Sequence, residues 1–510
     1  MSMWLTTTSL MRPSIPDWLE DLCQRLADND STLTTIEMSR QRIDDAASKF
    51  LCKALEGNTT VSILIISLFN VVDDGAYALG QIIGSNRSIK KLQFRDLHHP
   101  REVTTLFDAV GRNETVEEFS LRHCRLCEKS AQSLGFLVQH HRSIEELRLV
   151  DTFLGTNAMV PLTDALKVNQ SVKRLFIVNS DLGPSDANLL ASRLSHNAIL
   201  KELHLCENNL GDEGVLNLCR GLQKNKSLTT LNLRSNDIGS KGALALETLI
   251  ERQKSIKVLH VGSNRLEDAG AASLATGFRK NSTIVSLDVS DNGIGLVGTT
   301  ALALALRTNN TLHDLNLSFN AIGDKGAKEL SAILEFSHSL RRLCMIRNRI
   351  TNAGAAYFAH KLPSMRSLRE LILTKNVIDR EGGYLLLEGL RTNMELEYLH
   401  IEDSDISKPV LKELSHWIRL NQAGRRIFRD TKIDLGLWPY VLGKVNNEPS
   451  VLFHFLIEKP EFLNRNKKKR KRKVSGGAHL EKSSPLVAPL QIFHAAGKPF
   501  EQQHLLYFPY

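Results

Sequence analysis

An asparagine recurring every 28 residues constrains this chain more than any other feature. Asn208, Asn236, Asn264, Asn292, Asn320, Asn348 and Asn376 stand at that interval, each inside the skeleton Leu-x-x-Leu-x-Leu-x-x-Asn-x-(Leu/Ile), where other aliphatics sometimes replace Leu. One copy reads Leu228, Leu231, Leu233, Asn236, Ile238, then Gly242, Leu246 and Ile250. A fixed period of this length makes each unit one supersecondary element that cannot bury its own apolar face, so neighbouring units must stack.

Each position has a physical reading. The aliphatics at positions 4 and 6 flank an outward residue, the period-2 signature of a short strand with one inward face. The asparagine falls where the chain leaves that strand, and its amide can satisfy backbone groups stranded inside the stack. Position 13 is a helix-capping type in five units (Asp212, Ser240, Asp268, Asp324, Asn352), which predicts a helix start there. Position 15 is glycine in all seven units and allows close helix packing. Apolar residues then follow at helical spacing. Asn225, Asn281, Asn309 and Asn393, at position 26, suggest helix ends in left-handed geometry. One unit is therefore strand, turn, helix, turn.

The skeleton resembles the leucine-rich repeat family, and its 28-residue helical form is similar to the ribonuclease-inhibitor class. That class includes ribonuclease inhibitor, the recognition regions of NOD-like receptors and the Ran GTPase-activating proteins. The resemblance implies an α/β solenoid shaped as a horseshoe, with a parallel sheet on the concave face and helices on the convex face.

Repeat cores begin at Leu33, Val61, Ile89, Val116, Ile144, Val172, Leu200, Leu228, Ile256, Ile284, Leu312, Leu340, Leu368 and Leu396, numbered here as repeats 1 to 14. The division expected is a tail and capping helix over 1–32, with Trp18, Leu19, Leu22 and Leu26 at helical spacing. The solenoid follows over 33–421, a C-terminal cap over 422–463, and a basic disordered tail over 464–510. Repeats 1 to 6 replace the ladder asparagine with Gln41, Phe69, Leu97, Cys124, Thr152 and Ser180. Repeat 3 carries Asp96-Leu-His-His-Pro100 where turn and helix start should be, and reads as a drifting loop.

Net charge is +9, but Arg465 and Lys467 to Lys473 supply eight of those charges and leave the repeats near neutrality. The uninterrupted run Lys467, Lys468, Lys469, Arg470, Lys471, Arg472, Lys473 suits a nuclear-localisation signal read by an import receptor, or electrostatic contact with nucleic acid. Seven scattered cysteines do not make a disulfide framework. Without a signal-like N-terminus or a membrane-length apolar run, the expected location is cytoplasmic, nuclear or both. Most of the nine N-x-Ser/Thr sequons fall on position 26 and read as by-products of the repeat.

Aromatic and arginine side chains on a rigid sheet are the usual binding anchors. Phe176, His204, Arg234, His260, Asp288, Phe319, Arg342 and Arg347, at outward or flanking strand positions, are therefore the candidate partner-binding residues. No catalytic set, cofactor motif or metal site emerges. His123, Cys124 and Cys127 look like half a zinc site, yet no second cysteine pair follows. No G-x-x-x-x-G-K-(S/T) occurs. The expected function is non-enzymatic binding of a partner protein on the concave face. The resemblance leaves open a GTPase-activating regulator, and the tail leaves open nucleic-acid association.

Overall fold

In a computed structural model of the chain, residues 16–38, 43–154, 158–402 and 405–425 are described. The cap expected over 422–463 beyond residue 425, the tail over 464–510 and its run Lys467–Lys473 lie outside these residues, as do positions 1–15 of the expected N-terminal tail.

Among the described residues every repeat contributes one strand to a single 14-stranded sheet whose spatial order is the sequence order. All neighbours are parallel. Leu231 aligns with Leu203 on one side and Leu259 on the other. The next inward residues keep the register, because the N–H groups of Leu205, Leu233 and Val261 donate to Asn232, His260 and Asp288, one repeat on. Strand residues alternate between buried and outward, as in Glu202–His204 and Thr230–Asn232. Each helix packs on those of adjacent repeats. The inward residues of strands and helices form one continuous apolar core from Leu19 to Leu414.

The Asn264 side chain shows how repeats are joined. Its Nδ2 donates to the carbonyls of Leu233, Val261 and Gly262 at 3.1, 2.9 and 3.0 Å. Its Oδ1 accepts from the N–H groups of Asn236 and Ile238 at 2.9 and 3.0 Å. A group that hydrogen-bonds in both directions across the seam relieves backbone atoms that would otherwise be buried unpaired.

Position 26 does similar work, by a geometry other than the expected one. Asn281 and Asn393 are extended, with φ of −88° and −74°, not left-handed. Asn225 Oδ1 accepts from Ser227 and Leu228 N–H at 2.9 and 2.8 Å, while its Nδ2 donates to Leu194 and Asn197 carbonyls at 2.8 and 3.0 Å. These residues form a second ladder, buried at the other end of the strands. Its sequon members Asn58, Asn86, Asn113, Asn169, Asn225, Asn281 and Asn309 are all buried.

The position-13 carboxylates do not cap their own helices. Asp212 Oδ1 accepts from Gly239 and Gly242 N–H at 2.7 and 2.8 Å, in the next repeat. Asp268 treats Gly295 and Gly298 alike at the same distances, and Asp324 holds Thr351 and Gly354 at 2.8 and 2.9 Å. These aspartates are 56 residues apart, and the backbone alternates with them. Position 12 is left-handed in repeats 7, 9 and 11 (Gly211, Glu267, Gly323), whereas position 10 is left-handed in repeats 8, 10 and 12 (Asp237, Gly293, Arg349). From repeat 7 to repeat 12 the structural unit is thus a pair of repeats. Gly242 is required where it stands, because a Cβ there would lie 2.6 Å from Ile238 Cγ2 and 2.7 Å from Asp212 Oδ1.

Two further expectations change. On the capping helix Asp17–Ala27 the expected Leu19 and Leu26 are buried together with Cys23, but Trp18 is exposed. Phe69, in the ladder slot of repeat 2, is 52% exposed beside the buried Leu68. In repeat 3 the helix Pro100–Arg112 begins directly at Pro100, a favourable first-turn position because proline has no N–H to leave unpaired.

Candidate functional site

The sheet face opposite the helices carries rows of side chains contributed once per repeat. The candidates fall into three groups along it.

In repeats 5 to 7 the face is internally paired. Glu146 is buried and bridges Arg148 and Arg174, the latter at 2.5 Å. Burial works against its ionisation, but the hydrogen bonds from Arg174 and Arg148 outweigh this and hold its carboxyl below the usual range. The Arg148 guanidinium lies 3.9 Å from the centroid of the Phe176 ring, and His204 stacks on Phe176 at 4.2 Å and 12°. His204 Nε2 is 3.3 Å from Glu202 Oε2. Phe176, expected as an exposed anchor, is therefore only 7% exposed. Its neighbours in the row, one guanidinium and one imidazole, cover both ring faces.

In repeats 8 to 10 Arg234 reaches across two repeats. Its Nη1 lies 3.4 Å from Ser290 Oγ and 4.0 Å from Asp288 Oδ2. Gly262 leaves the space, since a Cβ there would be 3.0 Å from that nitrogen. His260 Nδ1 is 3.8 Å from the same Asp288 oxygen. Desolvation raises the Asp288 pKa, yet the nearby His260 and the Ser290 N–H bond at 2.9 Å bring it below the ordinary aspartate value. Arg234, His260 and Asp288 are thus brought together as one cluster, already committed to one another.

In repeats 11 to 13 the outward strand positions are tied up as well. Arg342 sits between Asp314 and Glu370, at 3.1 Å from each, which removes it as a free anchor. Cys344 and Ile372 are buried, and Cys344 Sγ lies 3.0 Å from Ser318 Oγ. The rim beside them is different. Phe319 is 45% exposed and Arg347, also exposed, places its guanidinium 5.6 Å from the ring centroid.

This rim is the row at position 8, the flanking position that supplied Phe319 and Arg347 as sequence candidates; its backbone geometry is what the sequence did not show. Every residue in it from repeat 3 to repeat 13 has a positive φ, from Asp96 at 56° to Lys375 at 58°. The geometry aims each N–H at the next repeat, as Phe319 N–H donates to Ile346 O at 2.7 Å. Asp, Asn, His and Ser tolerate left-handed backbone because their polar side chains bond locally, whereas bulky residues are outliers. Asp96, His123, Asp151, Asn179, Ser235, Ser263 and Asp291 fit that rule; Glu207 (57°) breaks it singly, and Phe319 (59°), Arg347 (52°) and Lys375 (58°) break it in three consecutive repeats. The positive-φ signal requires the register of the turn, which the repeat period alone does not supply.

Among the described residues no group of three or more His, Cys, Asp or Glu is placed to hold a metal ion, and no helix is long and apolar enough to cross a membrane. Cys124 is buried, with Sγ directed at the Arg122 and Phe94 carbonyls at 3.3 and 3.8 Å.

Stretches 196–219, 224–246, 252–275, 280–303, 308–331 and 364–387 each match the family described as Leucine Rich repeat. With one parallel strand per unit in a continuous sheet, the chain is a leucine-rich repeat protein. Such repeats generally mediate protein–protein interaction, and the family is typically a non-enzymatic scaffold. The chain is similar in structure to a tropomodulin C-terminal domain from Caenorhabditis elegans, at 18% identity over 32% of this chain and 99% of that one, with a TM-score of 0.27. It is also similar to leiomodin-1 actin-binding site 2, at 25% identity over 26% of this chain and 78% of that one, with a TM-score of 0.24. Likenesses of this extent carry no argument about a partner. A comparison with curated proteins gives no match.

Proposed function

We propose that the protein is a scaffold or regulator that binds a partner protein through the open face of its sheet, at the rim formed by repeats 11 to 13. The observation that carries this reading is the Phe319–Arg347 pair, a half-exposed aromatic with a cation over it, held on strained backbone beside a rigid sheet. Backbone outliers persist where surrounding structure over-determines them and concentrate at binding sites. The other candidates on this face are less available, because Phe176, Arg234 and Arg342 already spend their ring faces and charges on neighbours within the protein.

The test compares the proteins retained by the native chain with those retained by the Phe319→Gly/Arg347→Glu double variant. A variant on the helix layer, Leu244→Glu, serves as control; Leu244 is 58% exposed. Loss of partners in the double variant alone supports the reading. Unchanged partners there, or loss only in the helix-layer variant, rejects it.

A further inference from the structure

Resting on that reading, we infer that the rim of repeats 11 to 13 receives a short acidic protein segment that carries an apolar or aromatic residue. Three cations fall on this rim: Arg347 and Lys375 at position 8 of successive repeats, and Arg349 at position 10 of the same repeat as Arg347. All three are exposed and all three have positive φ, at 52°, 58° and 59° respectively. Among the described residues neither Arg347 nor Arg349 pairs with a carboxylate.

The carboxylates nearest in sequence register are occupied. Asp379 accepts from Asn352 Nδ2 and from Glu381 N–H at 2.7 and 2.8 Å. Glu402 accepts from Thr374 Oγ1 at 3.0 Å and lies 3.4 Å from His400 Nδ1. The contrast with an earlier stretch of the same rim is a reversal of sign: repeats 5 to 7 place Asp151, Asp181 and Glu207 there, around an open cleft also lined by Phe153, Asn179 and Asn209. Two arginines without acidic partners, next to a neutral-to-acidic remainder, make a local site for carboxylates, which planar guanidinium groups bind in a bidentate manner.

Apolar surface is interleaved with the charge. Phe319 is 45% exposed on one side of the arginines and Val377 is 69% exposed on the other. They are two repeats apart, roughly 10 Å at one strand spacing per repeat. That distance is spanned by about three extended residues. An occupant that lays an aliphatic or aromatic side chain beside Phe319 can therefore set an acidic residue against Arg347 and Arg349 without a bend. A nucleic-acid backbone fits less well, because it would meet exposed Asp291 at the adjacent rim position of repeat 10.

The experiment is selection of a random 12-residue peptide display library on the full chain, followed by measurement of the enriched peptides by fluorescence anisotropy. The expected consensus holds two or more Asp/Glu flanking Leu, Ile, Phe or Trp. Affinity should fall at least tenfold in Arg347→Glu/Arg349→Glu and in Phe319→Gly, and should weaken as salt rises. Phe319→Gly keeps the backbone in a region glycine favours, and a melting temperature no lower than that of the native chain separates lost binding from unfolding. Enriched peptides that are neutral or basic yet still lost on Phe319→Gly would overturn the acidic chemistry while leaving the open-face reading intact. Peptides indifferent to all three rim substitutions, or no enrichment over bare support, would overturn both. Displacement of the peptides by a single-stranded oligonucleotide at lower concentration than by the acidic consensus would reassign the rim to nucleic acid.

Discussion

The carboxylate of Asp212 caps a helix that begins one repeat later, accepting the Gly242 N–H at 2.8 Å and the Gly239 N–H at 2.7 Å. This bond couples odd to even repeats, so its loss should weaken a seam between repeats more than a single helix. Asp212→Ala is expected to lower stability by about 1–2 kcal/mol, the usual range for a helix cap. Urea denaturation should show the midpoint falling, and a matching loss in Asp268→Ala would establish that the alternation carries stability.

Asn264→Leu should be more damaging. It removes the donor to three carbonyls and leaves the Asn236 and Ile238 N–H groups buried without an acceptor. Each such orphan costs about 1–3 kcal/mol. Because each repeat contacts only its neighbours, hydrogen exchange should accelerate first in repeats 8 and 9 and not along the whole array. Uniform acceleration would contradict the nearest-neighbour picture.

His141 stands where most repeats carry the position-26 asparagine. Its Nε2 lies 3.2 Å from Val110 O, and its Nδ1 accepts from Ile144 N–H at 3.1 Å, a pattern that requires the neutral ring. Burial is the main cause of a pKa below the ordinary 6.5, only partly opposed by the bonds to Val110 and Asn113. Since the folded value is depressed, the stabilisation is full above pH 6.5 and declines as the pH falls beneath it. His141→Asn should therefore flatten the acid limb of the stability profile below that pH, as read by thermal melts from pH 7 to pH 5.

Phe319→Gly should leave the protein as stable as before or more so, because relief of left-handed strain at 59° is worth about 1–2 kcal/mol. A melting temperature that falls by several degrees would show the ring to be structural, and would weaken its assignment as an anchor.

Phe176→Ala should behave in the opposite way. The ring is 7% exposed between Arg148 and His204, so its removal should destabilise the fold by about 1–3 kcal/mol and leave peptide binding at the Phe319 rim unchanged. Chemical denaturation and the anisotropy assay together check both halves.

Much of the architecture was readable from spacing. The seven ladder asparagines and the aliphatics at positions 4 and 6 imply adjacent parallel strands, because only stacking in register buries them all. The interaction surface was less readable. Outward direction at position 5 follows from strand alternation, but availability does not. Phe176 and Phe319 look equivalent in the sequence as aromatics on or beside a strand. One is enclosed by the residues its register neighbours happen to supply, and the other stands open on a left-handed rim.

The sequence by itself determined the period, the strand and helix of each unit, and which residues face the core, since hydrophobic periodicity is a local property of the chain. Tertiary structure alone decided that Asp212 serves the helix of another repeat, that repeats 7 to 12 are built in pairs, and that among the described residues Arg347 and Arg349 lack acidic partners while Arg342 has two. Those outcomes depend on what residues 28 or 56 positions away bring across the seam. The physical reason is that hydrogen bonds and ion pairs are fixed by distance in space, which stacking sets and local sequence does not.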